Sequence, residues 1–429
     1  MAWSFSIVWS RFDRRQHSVT CRLRERCRFV MRSPELNTAD NLLNCPIIIG
    51  GAGPAGISTW LHLQKEAPQL AGRSIVIEKA IFPRDKLCSG GVCIWAADVL
   101  ANLGVDLDIP SLYVSDLEFR FGKEIDHVHQ HNYFRFVKRV DFDHALVREA
   151  VNRGLELHEG EMLMDVLRTQ NKLIVTTNKG KYATETLVGA DGALSTVRKK
   201  MFPLQKRHLA TTLQIFAPAD SQNDREFTEK KTVVDLTPIN EGLQGYVWHV
   251  PCLRDKVPSI AHGITDFRVC PEKSRADMKK IFSRELRRRN IHRGPKTWSS
   301  HPIPWYSNDD ILSRPNVILV GDAAGVEPAF GGGIHLSLSY GEVAAQAIID
   351  AFHNNVFSFH DYAQRIQSHQ VGKHISKCAH LAFKMYRGSL NPLDAAREVF
   401  APEYDSSAIM RQLLSTYLEH RPQSSPVPK

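Results

Sequence analysis

Residues 47–56 read Ile-Ile-Ile-Gly-Gly-Ala-Gly-Pro-Ala-Gly, and the fold is decided by this stretch. The apolar run from Cys45 to Gly50 predicts a short buried strand. The turn after it holds three spaced glycines, and a helical pattern follows from about Pro54 to Lys65. A strand, a Gly-x-Gly-x-x-Gly turn and a helix in immediate succession predict a dinucleotide-binding fold.

The residues of this turn have separate tasks. Gly51 permits the tight turn, Gly53 lets the backbone approach a pyrophosphate, and Gly56 allows close packing of helix on strand. Pro54 and Ala55 begin the helix, whose first N–H groups and partial positive charge attract phosphate. We therefore predict that these five residues bind a dinucleotide cofactor.

An acidic residue completes this first motif. The segment from Arg73 to Lys79 predicts the second strand, and Glu78 stands near its end. Glu78 follows Gly51 by 27 residues, whereas about 20 is usual. The polar stretch 67–73 accounts for the excess. A carboxylate at this place accepts hydrogen bonds from a ribose, so Glu78 is predicted to bind adenosine.

Two further turns of small residues follow predicted strands. Residues 188–198 (Val-Gly-Ala-Asp-Gly-Ala-Leu-Ser-Thr-Val-Arg) place Asp191 and Gly192 where a nucleotide can lie against the backbone. Residues 320–325 (Val-Gly-Asp-Ala-Ala-Gly) place Asp322 where it can accept a hydrogen bond from a ribityl hydroxyl. A run of glycines then opens a helix, with N–H groups where a flavin gains negative charge on reduction. The run is Gly331, Gly332 and Gly333.

In this order and separation, the three motifs resemble those of the glutathione-reductase-type FAD proteins of the aromatic hydroxylase superfamily, over residues 44–345. The resemblance implies FAD as the cofactor, with the adenosine half at the first motif, the pyrophosphate near Asp191 and the ribityl chain at Asp322. It also implies a cofactor contact for Arg139, which precedes an amphipathic helix predicted over residues 141–153.

The expected fold class is α/β: a glutathione-reductase-type, Rossmann-like FAD-binding domain with an inserted antiparallel β substrate domain and C-terminal helices. Residues 205–300 alternate strand patterns with long polar connections, and the C-terminal helical pattern begins at about Gly341. The expected divisions are 1–43 as a disordered basic extension, 44–112, 138–204 and 306–345 as the FAD-binding domain, 113–137 and 205–305 as the substrate sheet, and 346–429 as a helical region.

Two segments resemble the geranylgeranyl reductase family more narrowly. Residues 82–91 (Phe-Pro-Arg-Asp-Lys-Leu-Cys-Ser-Gly-Gly) are similar to that family's Pro-Arg-x-Lys-x-Cys-Gly-Gly-Gly loop, which places Lys86 among the cofactor-binding residues. Residues 245–251 (Gly-Tyr-Val-Trp-His-Val-Pro) are similar to its Gly-Tyr-x-Trp-x-Phe-Pro strand. The resemblance implies reduction of carbon–carbon double bonds in a prenyl or related lipid-like substrate. The sequence departs from the family pattern at Ser89, Leu243 and Val250, which leaves the substrate open.

Oxygenation is the competing hypothesis. Many aromatic hydroxylases have His at the position of Gly325, where geranylgeranyl reductases have Gly, so this residue favours reduction. The alternative is a flavin monooxygenase that hydroxylates an aromatic or lipophilic substrate through a flavin hydroperoxide. Halogenases share the fold, but their catalytic Lys and its Trp-x-Trp-x-Ile-Pro setting cannot be placed in this sequence.

Three residues are predicted to be catalytic on the reductase hypothesis. Reduced FAD supplies hydride to one alkene carbon, so a proton donor must act at the other. Cys88 is a candidate for that donor or for a group that polarises the flavin ring, with a buried apolar role as the alternative. Tyr246 and Trp248 share one face of a strand and are predicted to line a prenyl tunnel, with core packing as the alternative.

The sequence also bears on partners. It has no second Gly-x-Gly-x-x-Gly with its own strand and helix, so NAD(P)H or a redox protein is expected as a transient electron donor. The expected substrate is a lipophilic small molecule, with a prenyl diphosphate as one candidate. Monomer and homodimer both stay open.

Charge and composition narrow the class of protein. The formal net charge is +9, and residues 1–44 alone hold eight Arg against four acids, so the remainder is mildly basic. This weakens a nucleic-acid interpretation but suits an anionic substrate or a membrane surface. No apolar run approaches the roughly 20 residues that span a bilayer. Dispersed cysteines favour a reducing compartment, so we expect a cytoplasmic protein, with peripheral membrane contact left open.

Residues 1–44 fit two interpretations. They are Arg-rich like a transit peptide, or they precede a true start at Met31. Asp13 and Glu25 favour the second interpretation.

Several histidines and one basic run complete the candidates. His127, His129 and His131 alternate on a predicted strand and could bind a metal, but a polar sheet face is the preferred interpretation and no metal site is predicted. His335 is expected close to the flavin ring. The histidines expected to be solvated helix positions are His369, His374 and His380. The run 284–293 is expected to form an exposed helix face.

Overall fold

The computed structural model describes residues 42–205 and 207–400. The expectations for the N-terminal extension and for the tail beyond residue 400 lie outside these ranges.

The helices, in chain order, are α1 (Pro54–Glu66), α2 (Pro68–Ala71), α3 (Ile94–Asn102), α4 (Arg139–Asn152), α5 (Thr196–Met201), α6 (Arg225–Thr228), α7 (Met278–Arg288), α8 (Gly333–Asn354), α9 (Tyr362–Ser368), α10 (Gln370–Arg387) and α11 (Pro392–Phe400).

The strands, in the same order, are β1 (Leu42–Asn44), β2 (Ile47–Gly50), β3 (Ser74–Glu78), β4 (Gly91–Cys93), β5 (Ser111–Phe121), β6 (Glu124–Val137), β7 (Glu156–Glu159), β8 (Leu163–Arg168), β9 (Leu173–Thr177), β10 (Lys181–Thr184), β11 (Thr186–Gly189), β12 (Leu209–Pro218), β13 (Lys231–Asp235), β14 (Val247–Arg254), β15 (Val257–Asp266), β16 (Ser299–Pro304), β17 (Ser313–Arg314) and β18 (Val317–Leu319).

A six-stranded sheet in the order β17-β18-β11-β2-β3-β7 forms the centre of the fold. All its neighbouring strands are parallel except β17 and β18. The three isoleucines of β2 have no exposed surface, as expected for a strand that is covered on both faces. Because β2, β11 and β18 run in the same direction, the glycine-rich turns that follow them meet at one edge of the sheet. The α/β fold class predicted from the sequence is confirmed.

Helices α1 and α8 pack closely against each other beside this sheet. At their contact, a Cβ added to Gly341 would lie 2.4 Å from Oγ of Ser58. That hydroxyl donates a hydrogen bond to the Leu338 carbonyl at 2.6 Å. Since α1 follows the first glycine turn and α8 follows the glycine run, their contact holds two of the three motifs in register.

An eight-stranded sheet in the order β16-β12-β15-β14-β13-β5-β6-β4 forms the second layer. Its pairs are antiparallel except for β13 and β5. The parallel pair is joined by a buried ion pair, with Nζ of Lys231 2.5 Å from Oε2 of Glu118. Strands β5 and β6 therefore belong to the same sheet as β12–β16, although α4 and the second motif separate them along the chain. A smaller sheet has the order β1-β10-β9-β8.

Two details of the helical pattern differ from the sequence expectation. Residues 205–300 contain α7 besides strands, because Met278, Ile281 and Phe282 recur at helical spacing and are buried, and the Asp277 carboxylate caps the helix by accepting from the Lys280 N–H. The same range also contains the short helix α6, whereas α8 begins at Gly333, in the glycine run that was predicted to open a helix.

The basic run 284–293 is partly paired rather than uniformly solvated. Arg284 forms hydrogen bonds with Glu241, and Arg289 forms one with Glu226 at 2.7 Å. Within residues 42–205 and 207–400, no helix is both long enough and apolar enough to cross a membrane.

Candidate active site

A cavity of about 300 Å³ lies where the glycine-rich edge of the parallel sheet faces the eight-stranded sheet. The predicted residues that line it are Gly53, Pro54, Ala55, Lys86, Cys88, Arg139, Gly192, Tyr246, Trp248, Asp322, Gly331, Gly332 and Gly333. Gly51, Gly56, Glu78 and Asp191 are not among its lining residues. The fold thus brings together residues that are far apart along the chain.

The first glycine turn is closed at two positions and open at the third. Gly51 has a φ of +118°, and a Cβ there would lie 2.3 Å from the Ala190 carbonyl oxygen. A Cβ at Gly56 would lie 2.0 Å from the Gly51 carbonyl oxygen. At Gly53, by contrast, the nearest described atom to an added Cβ is Nη2 of Arg84, 3.8 Å away. The turn therefore leaves the backbone of Gly53 accessible, as the approach of a pyrophosphate requires.

Glu78 is a buried carboxylate that braces this turn. Its Oε2 accepts the Ala52 N–H at 2.9 Å, and its Oε1 accepts the Ala80 N–H at 3.0 Å. Each oxygen keeps acceptor capacity beyond these bonds. Glu78 can therefore hold the turn and accept hydrogen bonds from a ribose at the same time.

Two arginines share one buried carboxylate beside the turn. Arg139 donates to Asp143 from Nε at 2.8 Å and from Nη2 at 2.7 Å, and Arg84 donates to the same carboxylate at 3.0 Å. Burial opposes the charge of Arg139, but Asp143 and then Cys88 outweigh burial, so the pKa of Arg139 lies above its ordinary value. The sequence analysis did not assign a role to Arg84 or Asp143. The position of Arg84 next to Gly53 supplies positive charge where the pyrophosphate is predicted.

Lys86 and Asp322 meet across the cavity. Nζ of Lys86 lies 2.9 Å from Oδ2 of Asp322, although 236 residues separate them. Burial by itself raises the pKa of Asp322, but Lys86, Arg139 and His301 outweigh burial and hold the pKa below its ordinary value. Asp322 is therefore a carboxylate at neutral pH, as an acceptor for a ribityl hydroxyl must be.

In the second motif, the Asp191 carboxylate forms hydrogen bonds with groups of the same motif. Asp191 accepts hydrogen bonds from Oγ of Ser195 at 2.5 Å and from the Thr196 and Val197 N–H groups at 2.6 and 3.1 Å. The carboxylate thereby caps the start of α5. Gly192 has a φ of +77° and open space where a side chain would be. The backbone at Gly192 is thus the accessible part of this motif.

The glycine run adopts a backbone that other residues rarely take. Gly331 and Gly332 have φ of +92° and +102°, and a Cβ at Gly332 would lie 2.2 Å from Cε1 of His335. His335 is buried, and burial lowers its pKa to about 3. Its Nδ1 has no hydrogen-bond partner among the described residues. His335 is therefore a neutral imidazole in the wall of the cavity.

His374 does not lie in solvent as expected. It lines the cavity, its ring centroid is 4.2 Å from that of Trp95, and burial lowers its pKa to about 4. The expectation was wrong because α10 turns this residue toward α3, a contact that its own helix does not predict.

The three predicted catalytic residues all face the cavity. Cys88 Sγ accepts the Gly90 N–H at 3.3 Å. The rings of Tyr246 and Trp248 meet edge to face with centroids 5.9 Å apart. A Cβ at Gly263 would lie 2.0 Å from the indole of Trp248, so this glycine makes room for the ring.

One wall of the cavity is aromatic. Its rings come from β6, from the segment before α8 and from the end of α11, besides Tyr246 and Trp248. They are Tyr133, Phe134, Phe136, Phe330 and Phe400. The alternation of Phe134 and Phe136 along β6 was a signal in the sequence for one shared face, whereas nothing in the sequence places Phe400 next to them.

A second carboxyl group, Glu327, also lines the cavity. Its Oε1 accepts the Phe330 and Gly331 N–H groups at 3.1 and 2.7 Å. Burial is the main cause that raises its pKa to about 7. The sequence analysis overlooked Glu327 because it stands between two glycine motifs and belongs to neither.

The alternating histidines lie on the surface of β6, away from the cavity. Nδ1 of His127 and of His129 lie 2.9 and 3.4 Å from the Asp116 carboxylate, an acid that the sequence did not connect with them. No cluster of three or more His, Cys, Asp or Glu suited to a metal occurs in the described ranges.

Comparison with known proteins agrees with this geometry. A family model described as "FAD binding domain" matches residues 44–341. The chain belongs to this FAD-binding family. It is a flavoprotein of the oxidoreductase and monooxygenase class, and the open backbone at Gly53 and the pairing of Lys86 with Asp322 fit the FAD that this family binds.

Relatives of this FAD-binding chain carry more than one activity. It is 25% identical over 315 residues to the menaquinone reductase of Mycolicibacterium smegmatis, covering 70% of this chain and 75% of that protein. The geranylgeranyl bacteriochlorophyll reductase-like protein of Thermoplasma acidophilum has the same fold, with a TM-score of 0.62 and 18% sequence identity. The match covers 87% of this chain and 99% of that one. A probable FAD-dependent monooxygenase of Pseudomonas aeruginosa also has this fold, with a TM-score of 0.61 and 16% sequence identity. The match covers 83% of this chain and 99% of that one. Halogenases share the fold as well.

Proposed function

We propose that this flavoprotein reduces carbon–carbon double bonds in a prenyl or related lipid-like substrate. The observation that carries the proposal is the aromatic wall of the cavity, which begins at the glycine run and extends to Phe400. An uncharged polyprenyl chain gains by burying its apolar surface against such a wall.

The distribution of charge supports the same substrate class. Among the described residues that line the cavity, the lysine and arginine side chains are those of Lys86 and Arg139. Both are paired, with Asp322 and Asp143 respectively, next to the predicted cofactor motifs. The aromatic wall therefore suits the prenyl part of a substrate, and a diphosphate or other polar head group is better solvated outside it.

The relatives are consistent with this proposal. The name of the mycobacterial relative indicates action on menaquinone, which is a lipid with a prenyl side chain. The sequence segments that resemble geranylgeranyl reductases, 82–91 and 245–251, contribute Cys88 and Tyr246 to the cavity.

In this reaction bound FAD supplies hydride after reduction. Gly53, Arg84 and Asp322 bind and orient it, while Tyr246 and Trp248 position the substrate and exclude water. Cys88, which interacts with Arg139, would polarise the flavin ring. The electron donor is NAD(P)H or a redox protein that binds transiently. The enzyme works in the cytoplasm, at the surface of the membrane that holds its substrate. It is a monomer or a homodimer.

A halogenase reaction fits this cavity less well. A halogenase needs a free catalytic lysine near its substrate, whereas Nζ of Lys86 lies 2.9 Å from Asp322. Hydroxylation remains the alternative that experiment has to exclude, because a monooxygenase shares the fold.

The test is to reduce the bound flavin with dithionite and to follow its reoxidation without oxygen. We expect geranylgeranyl diphosphate to reoxidise it, with a product that gains two hydrogens per double bond. Reoxidation that requires oxygen, with an aromatic substrate that gains one oxygen atom, would instead establish a hydroxylase. A flavin-free Gly53→Val variant serves as the control for reduction by dithionite itself.

A further inference from the structure

Glu327 is held rigidly at the junction of the two parts of the cavity. Its backbone carbonyl accepts the Tyr306 N–H at 2.8 Å, and Trp305 pairs with it in a β-bridge. Its Oε1 is fixed by the N–H groups of Phe330 and Gly331. Main chain and side chain are thus both anchored, so the carboxyl group cannot swing away without breaking several hydrogen bonds.

The second carboxyl oxygen is available. The hydrogen bonds among the described residues engage Oε1 and leave Oε2 without one, and Glu327 lines the cavity. Its bond to Gly331 ties it to the glycine run that is predicted to face the flavin. Tyr246 lies near the same glycine, since its hydroxyl would lie 3.0 Å from a Cβ at Gly331. The carboxyl group therefore lies close both to the predicted cofactor surface and to an aromatic residue of the cavity.

We propose that Glu327 is the proton donor in the reduction of the alkene, an inference that rests on the proposed function. One alkene carbon receives the hydride that reduced flavin supplies, and the other receives the proton from Oε2 of Glu327. Two C–H bonds form, the π bond and the O–H bond break, the substrate is reduced and the flavin is oxidised. Glu327 is left as a carboxylate and takes up a proton from solvent before the next turnover.

The surroundings favour the protonated form of Glu327. The titratable groups that act on it are Asp322, Tyr246, Cys378 and Tyr386, and none of them is a cation. Burial comes first among the causes that raise its pKa and Asp322 adds to it, against the N–H groups of Gly331, Phe330 and Ala329, which lower it. The resulting pKa of about 7 lets Glu327 donate a proton near neutral pH and recover it.

The other polar groups of the cavity are less suited to this step. Burial raises the pKa of Tyr246 well above its ordinary value, which makes its hydroxyl a weaker acid. Burial lowers the pKa of His335 to about 3 and that of His374 to about 4, so both are neutral imidazoles. Asp322 is held as a carboxylate by Lys86. Cys88 is a further candidate donor, and its variant has to be measured beside that of Glu327.

Glu327→Gln is the decisive variant, because its amide oxygen can still accept from Phe330 and Gly331. With full flavin content, we expect reoxidation of the reduced flavin by the alkene to slow about 100-fold at pH 6. In the native protein this rate should fall as the pH rises through about 7, while the variant should show no such dependence. Glu327→Asp should restore part of the rate and its pH dependence.

Two matched variants serve as controls. Glu342→Gln makes the same chemical change on α8 outside the cavity and should leave the rate and its pH profile unchanged. Cys88→Ala should slow turnover but keep the fall through about pH 7, since the proton still comes from Glu327. Loss of that pH dependence in Cys88→Ala, with Glu327→Gln behaving like the native protein, would assign the proton to Cys88 and overturn the proposal.

A readout independent of activity is the infrared carbonyl band of a protonated carboxyl group. The native protein should show a band that disappears between about pH 6 and about pH 8 and is missing in Glu327→Gln. A native protein without this band would refute the proposal even if it reduces alkenes. A native protein with the band that reoxidises only with oxygen would refute the reductase function, and with it this step, while leaving the protonated state of Glu327 established.

Discussion

A side chain at position 53 would point into the space where the pyrophosphate is predicted, while meeting no described protein atom closer than 3.8 Å. Gly53→Val should therefore fold normally and lose its flavin. Flavin absorbance relative to protein, together with the melting temperature of the apoprotein, measures both expectations. Gly180→Val is the matched control, because an added Cβ at Gly180 also meets open space but lies away from the cavity. A Gly53→Val protein that stays yellow would show that the pyrophosphate lies elsewhere.

The buried ion pair between Lys231 and Glu118 makes a residue-level prediction about stability. Burial raises the pKa of Glu118, but Lys231 and Arg120 outweigh it and hold the pKa below its ordinary value. Such a carboxylate stabilises the fold above the pKa of the unfolded chain, and this stability is lost as the pH falls through the folded pKa. Lys231→Met should destabilise the fold at neutral pH, but by less than the about 3–5 kcal/mol of an unpaired buried charge, because Arg120 still pairs with Glu118. The double variant Lys231→Met/Glu118→Met should recover most of that lost free energy of unfolding, as measured by urea titration.

At the scale of elements, the contact of α1 with α8 aligns two of the cofactor motifs. Gly341 allows the contact, since a Cβ there would lie 2.6 Å from the backbone carbon of Ser58. Gly341→Leu should push the helices apart, lower the free energy of unfolding by about 1–3 kcal/mol and weaken flavin binding. Thermal unfolding and flavin titration measure the two effects. Gln346→Leu, on the exposed face of α8, should change neither, and equal behaviour of both variants would argue against the coupling.

Different elements supply the predicted cofactor-binding groups and the aromatic wall of the cavity. Turns at the ends of parallel strands hold the predicted cofactor groups, while β6, the start of β14 and the end of α11 hold the aromatic wall. A turn exposes backbone N–H groups, which suit phosphate, and a strand face presents side chains in a row, which suits an apolar chain. The two chemistries meet at the segment between Asp322 and Gly333, where Glu327 lies.

At the scale of the whole molecule, FAD should stabilise the folded protein by binding three separate segments of the chain. Its predicted contacts come from residues 51–56, 191–192 and 322–333, and a ligand that binds the folded state alone stabilises it. At about 100 times its dissociation constant, FAD should add about 2.7 kcal/mol to the free energy of unfolding. The melting temperature should therefore rise with FAD concentration in the native protein and stay constant in Gly53→Val. A native protein whose melting temperature does not change with FAD concentration would contradict this stabilisation.

The amino-acid sequence by itself determined the α/β class, the family and the cofactor, because these depend on local patterns. A buried strand, a turn with glycines at fixed spacing and a following helix are all set within about ten residues. The glycines and acids of the three turns could be named in the same way, whereas Lys86, Arg139 and the predicted catalytic residues were named through the resemblance to known families. Their binding roles stay predictions, although the fold gathers them around one cavity.

Only the tertiary structure decided which other residues join that cavity. His374 was expected in solvent, yet it packs against Trp95. Glu327 had no motif of its own, yet burial and the neighbours that surround it raise its pKa to about 7. Burial and charge at a site depend on segments that are remote along the chain, such as Tyr246 and Phe400 for this cavity. A local pattern carries no information about those neighbours, so the proton donor and the shape of the aromatic wall emerge only once the sheets and helices have packed together.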